Sequence, residues 1–133
     1  GYLRPIAWRG PEMMGIAAQN CKTHLAIACW DWPKYFFAKG GEGAGLALRT
    51  SGWRRCDPRT MPVQSKCAGI YSISTIAKHE ADRAGYDDAL MLDIHGHVAE
   101  STGANLFVVQ DGVIKTPVPE CFLNGITRQT VIQ

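Results

Sequence analysis

Apolar positions along this chain first keep a period of two, then of three to four, then of two again. Residues 2 to 8, YLRPIAW, alternate as a strand that puts Tyr2, Arg4 and Ile6 on one face. Pro5 favours a sheet edge there, because it has no N–H to donate. HLAIACW, residues 24 to 30, is apolar on both faces and predicts a buried strand. A third strand is expected over LALRTSGWRR. Then Ile70, Ile73, Ala77, Ala81 and Ala84 recur at three- and four-residue steps. They predict an amphipathic helix from about Ala68 to Ala84, capped by Gly85. Two hairpins follow. ALMLDI and HVAEST flank a turn at Gly96, and NLFVVQ and VIKTP flank Asp111-Gly112, a dipeptide suited to a two-residue turn. Asn124-Gly125 breaks the pattern, and Thr127 to Ile132 begin a second helix. The mixture predicts an α+β (α/β) fold.

KGGEGAG, residues 39 to 45, holds four glycines in seven residues and reads as a connector between domains. It lacks the G-x-x-x-x-G-K-[ST] order of a phosphate loop. The chain opens within a strand and stops about two turns into a helix, so it reads as a piece of a longer one.

Composition narrows the function classes. Of 133 residues, 46% are apolar, enough for a packed core, and the net charge of +2 offers no footprint for nucleic acid or an anionic membrane. No apolar run approaches a membrane span and no signal-peptide pattern is read, so a cytoplasmic protein is expected. The five cysteines contain no C-x-x-C, which suits reduced thiols better than a disulfide framework. His95-Gly-His97 reads as a solvated turn rather than a metal site, and no metal is expected.

The candidate chemistry begins at VQSKCAGIYS. Lys66 sits there among small and apolar residues. An ammonium kept partly dry becomes a nucleophile toward aldehydes. Tyr71, five residues on, can offer a hydroxyl to a ligand. Glu100, late in a strand, is a carboxylate that can face a ring nitrogen. NGITR, residues 124 to 128, enters a helix whose first N–H groups can cradle an anion. Tyr2 and Arg4 can form a carboxylate clamp. Each has a plainer reading when taken alone: a solvated acid, a capped helix start, a half-buried tyrosine, an exposed arginine.

Together and in order, GYLRP, SKCAGIY, GYDDALMLD, HVAESTGANLF and CFLNGITRQTVI resemble the fold-type IV enzymes that use pyridoxal 5'-phosphate (PLP). GYLRP favours the branched-chain amino acid aminotransferases among them. The resemblance implies that Lys66 is the Schiff-base lysine and the catalytic residue. It puts Glu100 at the pyridine nitrogen, Tyr71 near the phenolic oxygen and Leu123 beside the ring. Gly125, Ile126 and Thr127 become the phosphate turn, and Tyr2 and Arg4 line the substrate pocket. Asn124 stands where aspartate or proline is common, and Cys67 where alanine is common.

Residues 1–31 would be the end of a small domain, 32–44 an interdomain loop and 45–133 the first part of the PLP-binding domain. The implied reaction is transamination of leucine, isoleucine and valine with 2-oxoglutarate, in a homo-oligomer with small-molecule substrates. Aminodeoxychorismate lyase, D-amino acid or amine aminotransferases, and a truncated non-catalytic fragment are the alternatives.

Overall fold

The computed structural model describes residues 1–32 and 44–133. The proposed connector therefore lies mostly outside the described residues. Two units divide the chain, Gly1–Phe36 and Phe37–Gln133.

The first unit is a two-stranded antiparallel sheet. β1 (Tyr2–Arg9) pairs with β2 (Thr23–Trp30) in the register Tyr2↔Trp30 through Arg9↔Thr23. Pro5 fits because each strand of such a pair is an edge. Tyr2, Trp30 and Trp32 form an aromatic cluster with ring centroids 5.0 to 5.3 Å apart. β2 is a strand, as its sequence predicts, but it is not buried: Leu25 and Ile27 are exposed. Apolar residues on both faces need a layer on both faces, and a two-stranded ribbon supplies neither.

The second unit is built on a three-stranded sheet of order β3-β4-β5. β3 (Leu48–Arg54) runs parallel to β4 (Asp88–Leu92), and β4 pairs antiparallel with β5 (Val98–Ser101). The crossover from β3 to β4 contains a 3₁₀ turn (Ala68–Ile70) and α1 (Tyr71–Arg83), which packs on both strands. Ala77 and Ala81 of α1 meet Ala89 and Met91 of β4, with Ile73 beside them. Alanine at the contact lets helix and sheet approach closely. α1 closes as Gly85 predicts. Gly85 has φ +86°, its N–H donates to the Asp82 carbonyl at 3.0 Å, and that of Tyr86 donates to the Ala81 carbonyl at 3.0 Å. Those two bonds define a Schellman ending.

Both hairpins form. Gly96 turns between β4 and β5 with φ +90°. Asp111 and Gly112, at φ +53° and +75°, join β6 (Val108–Gln110) to β7 (Val113–Lys115). Two successive positive φ values are the signature of a type I′ turn. The segment 105–107 stays outside the strand, with only Asn105 making an isolated bridge to Glu100. α2 (Ile126–Ile132) begins directly after Gly125.

The path of β3 matters for the site. Its pairing with β4 is regular to Thr50↔Leu90 and resumes only at Arg54↔Leu92. Three residues of β3, Ser51 to Trp53, thus lie against one of β4, Met91. The Ser51 hydroxyl accepts the Trp53 N–H at 3.0 Å inside this bulge. Arg55 follows, its N–H bound to the Leu92 carbonyl at 2.8 Å.

Candidate active site

A cavity of about 500 Å³ lies in the second unit where three segments meet. These are the loop before α1, the turn after β5 and the entry to α2. Lys66, Tyr71, Glu100, Leu123, Gly125, Ile126 and Thr127 all line it. Residues separated by up to 61 positions in the chain are thereby brought to one space. Tyr2 and Arg4 are in the first unit and are not among its lining residues. The Arg4 guanidinium lies 5.3 Å from the Tyr2 ring centroid and donates to the Tyr2 hydroxyl at 3.3 Å.

Lys66 precedes the 3₁₀ turn. Its ammonium donates to the Tyr71 hydroxyl at 3.0 Å and lies 5.4 Å from that ring's centroid. The expectation of a partly dry lysine is not met, since Lys66 is exposed. Ser65, Cys67 and Ala68 carry too little volume to screen a four-carbon side chain. The small residues around Lys66 give it room, not shelter.

Glu100 is the opposite case. It leaves β5 beside Met91 of β4 and is only 7% exposed. Arg55, 6% exposed, sets its Nε 3.1 Å from Oε1. That Nε has no hydrogen-bond partner, so its hold on Oε1 is Coulombic. The rest of the guanidinium is fastened by Nη1, which donates to the Ser74 hydroxyl at 2.8 Å. On the other carboxylate oxygen, Oε2 accepts from Asn105 Nδ2 at 3.1 Å. Burial raises the Glu100 carboxyl to about 7, against the opposing pull of the Arg55 and Lys66 charges. A carboxyl poised near neutrality, with charged neighbours, in a cleft makes Glu100 a candidate site residue.

The third segment is held by side chains that bond its backbone. Gln64, two residues before Lys66, donates to the Pro119 and Phe122 carbonyls at 2.6 and 3.0 Å and accepts the Asn124 N–H at 3.3 Å. Arg128 is buried and spends its donors on Thr116 Oγ1, Asn124 Oδ1 and the Pro117 carbonyl at 3.2, 2.8 and 3.0 Å. It is a brace. The Gly125 N–H already donates to Asn105 Oδ1 at 3.2 Å. The first intrahelical bond runs from Gln129 N–H to the Gly125 carbonyl at 3.0 Å. The N–H groups of Ile126 and Thr127 come before it, so they have no intrahelical acceptor and are open to an anion. Gly125 has φ −60°, so the glycine is not needed for its backbone angle. A Cβ built there would sit 2.5 Å from Asn105 Oδ1, so it is needed for space.

Arg55, Gln64, Asn105 and Arg128 were not singled out in the sequence. Arg55 is one of two adjacent arginines, and only the bulge decides which of them meets Glu100. An asparagine five residues after a candidate acid was the one available signal.

The assembled groups are an amine, a hydroxyl beside it, a buried acid and a helix entry. They suit a ligand that carries an aldehyde, a ring nitrogen and an anionic group, which are the functional groups of PLP.

Comparison with known proteins gives the same direction. The profile of the family described as amino-transferase class IV matches residues 1–133. A probable branched-chain-amino-acid aminotransferase of Rickettsia bellii is 44% identical over 132 residues, covering 99% of this chain and 44% of that protein. The branched-chain aminotransferase of Thermoproteus uzoniensis, solved with norvaline, superposes with TM-score 0.89 at 38% identity over 98% of this chain and 43% of that one. The T.th. branched-chain amino acid aminotransferase, solved with pyridoxamine 5'-phosphate, superposes with TM-score 0.83 at 41% identity, over 98% of this chain and 43% of that one. The chain thus spans less than half the length of these relatives.

Proposed function

This chain belongs to the amino-transferase class IV family, and from that premise we propose that it is part of a PLP-dependent aminotransferase for branched-chain L-amino acids. Leucine, isoleucine and valine would be the donors and 2-oxoglutarate the acceptor. The observation that carries this reading is the convergence of Lys66, Tyr71, Glu100 and the 125–127 turn on one cavity. PLP, when bound, supplies an aldehyde for amines and a ring that spreads carbanion charge. Lys66 is the amine for that aldehyde. It would also be the base and acid that moves the substrate α-proton. Tyr71 orients Lys66 through their hydrogen bond and offers its hydroxyl to the phenolic oxygen. Glu100 would be the acid that supports a proton on the ring nitrogen. Leu123 would line the side of the ring, and the N–H groups at Ile126 and Thr127 would hold the phosphate. Tyr2 and Arg4 serve the substrate.

We further assign residues 1–31 to the end of a small domain, 32–44 to the connector and 45–133 to the first part of the cofactor domain. The five free cysteines suit a reducing compartment, and the cytoplasm, a homo-oligomer and a role in branched-chain amino acid biosynthesis complete the reading.

Transamination of L-leucine with 2-oxoglutarate tests it, with the chain compared to a version extended at both ends to its relatives' length. The extended version should turn over leucine. The 133-residue chain should bind PLP weakly and show little turnover. The resemblance implies further charged phosphate contacts in longer relatives, and losing each costs roughly 1.5–3 kcal/mol. Its exposed strands should also let it self-associate. Equal specific activity in the two would show the chain to be sufficient. No transamination in either, with pyruvate released from an aminodeoxychorismate instead, would move the reading to the lyase.

A further inference from the structure

Among the described residues, Asn105 is the one side chain bonded to both the buried acid and the turn entering α2. Its amide makes three bonds. Nδ2 donates to Glu100 Oε2 at 3.1 Å and to the Leu123 carbonyl at 3.0 Å. Oδ1 accepts the Gly125 N–H at 3.2 Å. The partners fix the orientation of the amide. Two acceptors face the NH₂ end and one donor faces the oxygen, so the flipped amide would oppose like groups on both sides. Aspartate could keep the Gly125 bond but could not donate to Glu100. Leucine could make neither bond. The space is as specific as the chemistry, since the missing Cβ of Gly125 is what admits Oδ1.

We propose that Asn105 is a positioning residue that ties the Glu100 carboxylate and the Gly125 turn into one rigid unit, setting the distance between the ring-nitrogen acid and the phosphate turn. This rests on the roles given to Glu100 and to residues 125–127 above. Arg55 holds one oxygen of Glu100 from the end of β3, and Asn105 holds the other from the turn after β5. With both oxygens held, Glu100 still lines the cavity. Arg55 and Lys66 are the charged groups acting on it. The Asn105 donor adds a neutral bond that favours the ionised form.

The test is NMR on the isotopically labelled 133-residue chain without PLP. In the unmutated chain, the Asn105 side-chain NH₂ resonances should shift with pH at the same midpoint as the Glu100 carboxyl, near 7. Asn105→Asp should raise the Glu100 midpoint by about one unit or more, because it removes a donor and adds a like charge. It should leave exchange of the Gly125 amide within about threefold of the original. Asn105→Ala should raise the midpoint and also speed Gly125 exchange by about tenfold or more. Asn105 resonances that ignore the Glu100 titration, or a Glu100 midpoint unchanged by the aspartate substitution, would overturn the proposal. If the alanine variant does not fold, these other two measurements decide. None of them needs the cofactor. Borohydride labelling that misses Lys66 would therefore overturn the functional reading while leaving the Asn105 bracket standing, and the converse result would separate them the other way.

Discussion

Replacing Lys66 by alanine is expected to remove covalent capture of PLP while leaving the fold intact. Among the described residues, Lys66 is the single lysine lining the cavity. Lys78 is engaged with Asp82, and Lys115 donates to Gln110 at 2.8 Å, both away from the cavity lining. Borohydride reduction in the presence of PLP, followed by peptide mapping, should therefore place the label on the Lys66 peptide, and the variant should lose it. In a version of the relatives' length, turnover should fall by about 10⁴-fold or more, the scale of losing a covalent catalytic group. Stability should hardly change, because an exposed side chain with one hydrogen bond contributes within about 0.5 kcal/mol. Label on Lys78 or Lys115, or a variant that keeps turnover, would remove Lys66 from its assigned role.

Glu100→Gln is expected to separate attachment from chemistry. PLP should still be captured at Lys66. An amide cannot support a ring-nitrogen proton as a carboxylate does, so deprotonation of the amino acid should slow by about 10²-fold or more. The substitution also has a signature in the stability of the chain. Glu100 titrates near 7 in the folded state, above the ordinary carboxyl value of 4.5. Between these values the folded chain holds a proton that the unfolded chain releases, so this group's stabilisation is full below about 4.5 and is lost as pH rises through about 7. Denaturant midpoints measured across that window should fall with rising pH in the parent chain, and Glu100→Gln should flatten that slope. Unchanged turnover in the extended variant would refute the catalytic role. An unchanged pH slope would refute the buried, raised carboxyl.

Local rules carried much of the fold. Period and turn chemistry specified β1, α1 with its Gly85 ending, both hairpins and the start of α2, because each depends on residues within a few positions of one another. The candidate list was legible for a different reason. The residue types and their order resemble a known family, and the structure brings seven of the named residues to one cavity.

What local pattern could not decide was environment. HLAIACW is apolar on both faces in the sequence, yet β2 stands exposed, because burial requires a partner layer that no strand specifies for itself. Lys66 looked sheltered and is open, because its small neighbours cannot cover it. Glu100 looked like a strand-end acid. Its raised carboxyl comes from burial beside β4, and its charged partner Arg55 arrives only because a bulge in β3 sets three residues against one. Asn105, Gln64 and Arg128 act on segments 11 to 60 residues away, and no periodicity encodes which carbonyl a side chain will reach. The order of residues was enough to say which groups are available and which elements carry them, because those follow from chemistry and spacing along the chain. Which of the groups are buried, which are charged and which hold the others in place came from the folded arrangement alone, since those properties arise from contacts between segments that are distant in the chain.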